Sequence, residues 1–495
     1  MRAVAEIDQW LRQHAGAGAH LTSDSRRVEA GDVFVAYRGA RTDGRHFLAD
    51  AAGRGAVAAL VDPEGWQDGA SAPIPVLTVD ALKNQAGAIA AHWYGAPSRA
   101  LWSVGVTGTS GKSSCALWIA QALASFGRHP IVAGTLGVGL LGALDDLNLT
   151  TPDPIQLQRT LRHLVDAGGD ALAMEVSSIG LAEGRVNGMH YDVALFTNLS
   201  RDHLDYHGDM QRYEEAKVAL FTWSGLGHAV VNLDDPAGVR VAERARAAGV
   251  AVTGYSAQGL RGADLRATRV CLGNEGMALE FSGGYGTRVV RTPFIGQHNV
   301  ANLLGVLGVL LASGVAVDQA FAALSGLQPV PGRLERVPGA ALEPLVLIDY
   351  AHKPDALEKV LEACQPIARA RGGELVVVFG CGGDRDAGKR ALMGAIAARL
   401  AQTVVITSDN PRSEDPAAIV AAIASGVPAG ARHVRQEVDR RAAIRGAIAA
   451  AGVHDVIVIA GKGHETYQEI KGEKFTFSDF AEASVALKAR QAVTS

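Results

Sequence analysis

GVTGTSGKSS, Gly105 to Ser114, decides how this chain is read. A short apolar run, Leu101 to Val106, leads into it, and a helix-like stretch, Cys115 to Ser125, follows. Strand, glycine-rich loop and helix in that order make a nucleotide phosphate site. Successive backbone N–H groups and a helix N-terminus cradle phosphate oxygens. Gly108, Thr109, Ser110, Gly111, Lys112, Ser113 and Ser114 would supply that cradle. Lys112 adds a positive charge over the terminal phosphates, and Ser113 a hydroxyl where Mg2+ sits. The expectation is a chain that binds and splits ATP or GTP. A glycine-rich turn with a solvent lysine is the plainer alternative.

Around this loop the chain falls into three blocks, a count that suits 495 residues. Residues 1–98 hold short strands and turns and end at Ala96, Pro97 and Ser98. Residues 99–328 alternate strands (Ala171 to Met174, Val193 to Thr197, Ala229 to Asn232) with amphipathic stretches, which predicts a mostly parallel sheet covered by helices on both faces. Within that block, residues 250–292 read as an antiparallel excursion. Residues 329–495 follow the linker Val330 to Arg333. They carry four apolar strands, Leu345 to Ile348, Leu375 to Phe379, Val404 to Thr407 and Val456 to Ile459, in a doubly wound, Rossmann-like layout. The fold class expected is α/β, with a central P-loop sheet domain.

A formal charge of -4 speaks against bulk nucleic-acid binding. The 4 cysteines are scattered and form no CxxC, which fits a reducing cytoplasm rather than a disulfide framework or a zinc knuckle. The opening MRAVAEIDQWLRQ interrupts its apolar positions with charge, unlike a signal peptide. No apolar run is long enough for stable membrane insertion.

Polar signatures follow the strands. Glu175 ends one strand of the central block, where a Mg2+ ligand belongs in a phosphate-loop domain; a salt-bridged strand end is the alternative. FTNLSRDHLDYHG, Phe196 to Gly208, is dense in ionisable groups, and Asp202 and His203 can reach a metal or orient a phosphate. DYAHKP, Asp349 to Pro354, puts another carboxylate on a strand end. GCGGDRD (Gly380 to Asp386), the run Asp409, Asn410, Pro411, Arg412, and GKGHE (Gly461 to Glu465) each follow a strand of the last block. Together they could hold a zwitterion, with an Arg for its carboxylate and Glu465 for its ammonium. Ser23 to Arg26 and Gly39 to Gly44 suggest a small polar pocket or merely loops.

In combination, GTSGKS, EVSS (Glu175 to Ser178), TNLSRDHLDYHG (Thr197 to Gly208) and DYAHKP resemble the Mur ligases, ATP-dependent amide-forming enzymes of peptidoglycan precursor synthesis. The resemblance spans essentially the whole chain. It implies a first domain for a uridine nucleotide, a second for ATP and a third for the incoming amino acid. Lys112 would contact ATP phosphates, Ser113 and Glu175 would serve Mg2+, and His203 a second Mg2+. Lys217 would be carbamylated, an anion able to hold Mg2+ or position ATP. Catalysis would rest on Lys112, His203 and Lys217. Asn299, Arg333 and Asp349 would hold the nucleotide as the domains close. For a UDP-N-acetylmuramoyl-dipeptide, the resemblance marks Ser23, Ser25, Ala40, Arg41, Thr42, Thr150, Thr151, Ser177, Glu183 and Arg185. Ile179 and Glu183 depart from the His and Gln that many relatives carry, and Glu183 brings a negative charge toward an anionic substrate.

For the added amino acid the resemblance marks Arg385, Asp409, Asn410, Pro411, Arg412, Gly461 and Glu465. DNPR implies meso-diaminopimelate, whose far carboxylate would pair with Arg412. Lysine lacks that carboxylate and would leave the guanidinium unpaired, at a cost of about 2–5 kcal/mol. The expected reaction makes an acyl phosphate on a D-glutamyl γ-carboxylate and then an amide, in the cytoplasm, by a monomer. Alternatives are the same ligation with L-lysine, or a P-loop kinase or ATPase.

Overall fold

A computed structural model describes residues 2–39, 42–66, 72–145, 150–273, 276–340, 342–431 and 433–494. The chain divides into two compact units: Met1–Thr268 with Phe281–Arg288 and Ala301–Leu324, and Arg269–Glu280 with Val289–Val300 and Ser325–Ser495.

The first unit begins with a parallel sheet whose strands Leu21–Thr22, Val33–Ala36, Ala58–Val61 and Val76–Thr78 pair in chain order. Apolar residues on its two faces feed separate clusters. One gathers Val33, Val35, Leu60 and the helix residues Ile7, Leu11 and Ile89; the other gathers Phe34, Ala36, Val61 and Leu48. That split is the period-two alternation of a strand buried on both sides.

The phosphate-loop strand, Trp102–Thr107, lies deep in a larger sheet, between Val193–Phe196 and Ala171–Glu175 and parallel to both. Pro130–Gly134 continues the sheet on one side, and His228–Asn232 and Ala251–Ser256 on the other, all parallel. Of the stretch 250–292, where an antiparallel excursion is expected, the first strand is parallel, and Leu265–Gly273, Gly276–Gly283 and Arg288–Thr292 follow it in order at the sheet edge. Ala251–Ser256 is an ordinary parallel strand, and Tyr255 pairs in parallel with Leu265 in the strand Leu265–Gly273. At the other edge the pairing is antiparallel: Gly137–Leu140 turns back on Pro130–Gly134, and Ala143–Asp145 on it. A reversal through Gly134 and Gly137 requires φ of +124° at Gly137, which glycine tolerates.

In the second unit a six-stranded sheet runs Glu335–Arg336, Leu345–Asp349, Val456–Ala460, Leu375–Phe379, Thr403–Ile406, Val434–Gln436, parallel except for the first pair. Leu345, Leu347, Leu375 and Val377 face one helical layer; Val346, Ile348, Val376 and Val378 face the other. A short hairpin, Tyr467–Ile470 with Glu473–Thr476, follows the last parallel strand.

Candidate active site

The C-terminal ends of the parallel strands gather the polar residues in both units, as expected of open α/β sheets. In the first unit the loop after Thr107 is held from behind. Asn198 O accepts from Thr109 N at 2.9 Å, and Asn198 Oδ1 from Ser110 N at 3.0 Å. Thr197 Oγ1 donates to Ser110 O at 2.7 Å. Thr109 Oγ1 accepts from Ser200 N at 2.9 Å and lies 3.0 Å from the Tyr213 hydroxyl. Gly108 and Gly111 have φ of +149° and +86°, and a Cβ on either would collide with Thr197 Oγ1 or Asn302 Oδ1. The helix Lys112–Ser125 that follows has no side-chain cap at its N-terminus. Its dipole and first-turn amides suit an anion there.

Two lysines converge on one backbone oxygen. Lys112 Nζ donates to Gly108 O at 2.9 Å and to Thr109 O at 3.1 Å; Lys217 Nζ donates to Gly108 O at 2.9 Å. Lys217 is 2% exposed, and its ammonium lies 4.5 Å from the centre of the Tyr213 ring. Burial and the Lys112 charge depress its pKa well below the ordinary lysine value, with Asp202 partly opposing them. His203 sits at φ +51° beside Asp202, 3.5 Å away, with its ring edge-on to Tyr213. His207 lies 3.0 Å from Ser178 Oγ, and burial followed by the Lys217 charge lowers its pKa.

Glu175 is buried at its strand end. Its carboxylate accepts from Thr135 N at 2.8 Å and from the Thr135 hydroxyl at 3.3 Å. Thr150 Oγ1 is 3.1 Å from Thr135 Oγ1, and Thr151 Oγ1 is 3.0 Å from Ser177 Oγ, which caps the helix Ser178–Ala182. Arg185 donates to Thr151 O at 3.1 Å and grips Glu183 at 2.5 and 2.8 Å. The negative charge at Glu183 is therefore met within the chain by Arg185. Thr150, Thr151, Ser177, Glu183 and Arg185 are thus brought together. Ser23 joins them through Asp153, whose Oδ2 accepts from Ser23 and Tyr37, each at 3.3 Å. Ser23 and Asp153 line a cavity of about 950 Å3 with His20, Tyr94, Gln156 and Arg159. Ser25 is buried at the start of a 3-10 turn, and Thr42 O accepts from Gly39 N. Ala40 and Arg41 lie outside the described residues.

The uncapped helix start and the loop pressed against Thr197 and Asn302 fit a phosphate chain. Among the described residues no three His, Cys, Asp or Glu side chains form a metal cage. The buried Glu175 carboxylate and the Ser113 hydroxyl are oxygen donors of the kind suited to Mg2+, which keeps several waters and takes one or two carboxylates plus phosphate oxygens.

In the second unit, Asp349 is buried and accepts from Leu334 N and Ala351 N, each at 2.8 Å; burial raises its pKa, and the Arg333 charge opposes that. The Arg333 guanidinium lies 4.9 Å from the centre of the Tyr350 ring, and Asn299 Nδ2 donates to Ile295 O. The three loops after the sheet strands do meet. Gly383 N donates to Asn410 O at 2.9 Å, and Arg412 NH1 to Gly383 O at 2.7 Å. Gly461, at φ +118°, presses on Asp409 so closely that a Cβ would strike its carboxylate. Arg385 is exposed beyond this contact, and Gly383 packs on Pro411. Glu465 Oε2 accepts from Asn410 Nδ2 and from Lys462 Nζ, each at 2.8 Å. Lys462 is fully buried and also donates to Asn410 Oδ1 at 2.8 Å.

Sequence reasoning missed Tyr213, Asn198 and Lys462 as site residues, although Asn198 and Lys462 lie inside quoted runs. A lysine between two glycines on a strand end was the available signal for Lys462; the bracing role of Asn198 had none.

A phosphate cradle in one unit and a braced cluster of opposite charges in the other define an ATP-using enzyme with a charged acceptor, and comparison with known proteins agrees. The Mur ligase middle domain matches residues 106–310, the Mur ligase glutamate ligase domain residues 332–463, and the Mur ligase family catalytic domain residues 19–94. The chain belongs to the Mur ligase family and has its three-domain α/β architecture. It is 52% identical to the UDP-N-acetylmuramoyl-L-alanyl-D-glutamate--2,6-diaminopimelate ligase of Ralstonia nicotianae, over 98% of this chain and 96% of that one. It is 48% identical to the ligase of the same name from a Janthinobacterium species, over 99% and 97%. A solved structure of a 2,6-diaminopimelate ligase matches with a TM-score of 0.69 and 34% identity, covering 95% of each chain.

Proposed function

We infer that this chain is an ATP- and Mg2+-dependent ligase. It adds meso-2,6-diaminopimelate to the D-glutamyl γ-carboxylate of UDP-N-acetylmuramoyl-L-alanyl-D-glutamate, in cytoplasmic peptidoglycan precursor synthesis. The observation that carries this reading is the acceptor cluster on the last sheet. There Arg412 and Glu465 present opposite charges on loops tied together through Asn410 and Lys462. Residues 1–98 form the domain for the UDP-linked substrate, 99–328 a P-loop domain and 329–495 a Rossmann-like domain, in a monomer.

In the mechanism, the loop amides and Lys112 hold the ATP phosphates, while Thr150, Thr151, Ser177 and Arg185 orient the dipeptide carboxylate toward the γ-phosphorus. The carboxylate displaces ADP and becomes an acyl phosphate. Fixed N–H donors and Lys112 stabilise charge as it builds on the transferring phosphoryl group. Ser113 and Glu175 would hold Mg2+, with His203 beside a second ion; the metal supplies charge neutralisation at the phosphates. Burial lowers the Lys217 pKa, which favours the free amine that adds to CO2. The new N–C bond forms with loss of one amine proton to water, and the resulting carbamate anion would keep one N–H for Gly108 O. Arg412 and Glu465 hold diaminopimelate, whose amine attacks the acyl carbon and expels phosphate.

The test measures phosphate release and product mass with ATP, Mg2+ and the UDP-linked dipeptide, adding either meso-diaminopimelate or L-lysine. Amide product is expected with meso-diaminopimelate, and Lys112→Ala should abolish it. Efficient lysine addition would overturn the amino-acid assignment, and phosphate release without an amide would overturn the ligase reading.

A further inference from the structure

The turn after Pro130–Gly134 carries a hydroxyl that no motif marks. Thr135 N donates to Glu175 Oε1 at 2.8 Å, and Thr135 Oγ1 donates to Glu175 Oε2 at 3.3 Å. Gly134 makes room for this approach, since a Cβ there would stand 2.3 Å from Glu175 Oε1. On its other side, Thr135 Oγ1 lies 3.1 Å from Thr150 Oγ1. A carboxylate can only accept, and a hydroxyl has one proton to give. With that proton on Glu175, Thr135 can only accept from Thr150, and the Thr150 proton is spent inside the protein. The two contacts on Glu175 differ in strength. The N–H bond has an ordinary length, whereas 3.3 Å is long for a hydroxyl donor, so the hydroxyl is the contact that gives way.

We propose that Thr135 is a positioning residue whose hydroxyl passes the state of the Glu175 carboxylate on to Thr150. Where Glu175 Oε2 serves Mg2+, that oxygen no longer accepts from Thr135. The Thr135 hydroxyl then turns to donate to Thr150, and the Thr150 proton is released for a carboxylate of the UDP-linked dipeptide. Thr135 N keeps Glu175 in place throughout. Thr151 lies outside this relay, because its hydroxyl meets the Glu175 backbone oxygen, at 3.3 Å, rather than the carboxylate. Metal and dipeptide are thereby coupled through two rotating hydroxyls, and each strengthens the binding of the other by the same factor. The inference rests on the ligase reading above, with Glu175 as the Mg2+ carboxylate.

Calorimetry reads this coupling without turnover. UDP-N-acetylmuramoyl-L-alanyl-D-glutamate is titrated into the chain in a saturating non-hydrolysable ATP analogue, once with Mg2+ and once with EDTA. In the parent, Mg2+ should tighten binding about fivefold or more, the lower end of a typical coupling between sites. Thr135→Val leaves Thr150 no inner acceptor, so its proton serves the dipeptide with or without the metal. That variant should bind about fivefold or more tighter than the parent in EDTA, the scale of a hydrogen bond to a charged group, and within about twofold of the parent with Mg2+. Thr135→Ser should match the parent in both conditions. Thr135→Ala should reproduce the valine result, so the outcome does not hang on the folding of one variant. Equal weakening of the valine and alanine variants in both conditions would make Thr135 a support for the turn and overturn the proposal. So would parent-like binding of those variants in EDTA, or a parent indifferent to Mg2+. A parent that binds no dipeptide in either condition would overturn the ligase reading itself. A parent that binds it, with variants that show no gain in EDTA, would overturn only the role of Thr135.

Discussion

Lys217 is the residue at which environment changes chemistry most. An amine that ionises near 10.5 in water is buried against a second lysine and a tyrosine ring, and its pKa drops well below that value. The unfolded chain takes up this proton as pH falls below about 10.5, and the folded chain only at much lower pH. Lys217 therefore subtracts stability by an amount that grows from pH 10.5 downward until its folded pKa is passed. Lys217→Met removes that cost. In CO2-free buffer the variant should melt above the parent at pH 7, and the gap should close toward pH 10.5; a gap independent of pH would show that the folded lysine ionises normally. Lys217 was legible as a site residue only through the family resemblance. Its convergence with Lys112 on Gly108 O joins positions far apart in the chain and has no signature in either neighbourhood.

Among the elements, three helix starts carry a local signature in the chain. Asp153-Pro154, Asp235-Pro236 and Asp415-Pro416 each place a capping carboxylate before a proline in the first turn, and each does cap a helix. What supports the acceptor loops was not readable. Arg440, on the helix Arg440–Ala450, and Asp479, on Asp479–Thr494, form a fully buried two-point pair at 2.7 Å. The same guanidinium donates to Ser408 O and Ala460 O, at 3.1 and 2.9 Å, just before the Asp409 and Gly461 loops. Asp479→Asn leaves a buried cation without its counter-charge and should cost about 3–5 kcal/mol in denaturant unfolding. An effect under about 1 kcal/mol would mean that the pair does not hold these strand ends.

For the whole molecule, the proposed chemistry divides between the two units. The phosphate loop belongs to one and the acceptor cluster to the other. Hydrogen exchange should follow that division. ATP with Mg2+ is expected to slow exchange at residues 108–114 and 197–200 while leaving 409–412 as before. Meso-diaminopimelate alone should slow 409–412 and 461–469 while leaving 108–114 as before. Protection of 108–114 by meso-diaminopimelate would contradict the acceptor assignment. The sequence by itself determined the phosphate loop, the alternating strands and helices, and the strand ends that carry charge, because hydrophobic period, glycine placement and capping residues are local properties of a chain. Only the tertiary structure decided that Ala251–Ser256 runs parallel and that Glu183 is neutralised by Arg185. It alone also decided that Glu465 meets Lys462 and that Glu469 lies 3.4 Å from Arg412. Which charge meets which depends on strand order and loop packing, and these bring together residues that no local pattern connects.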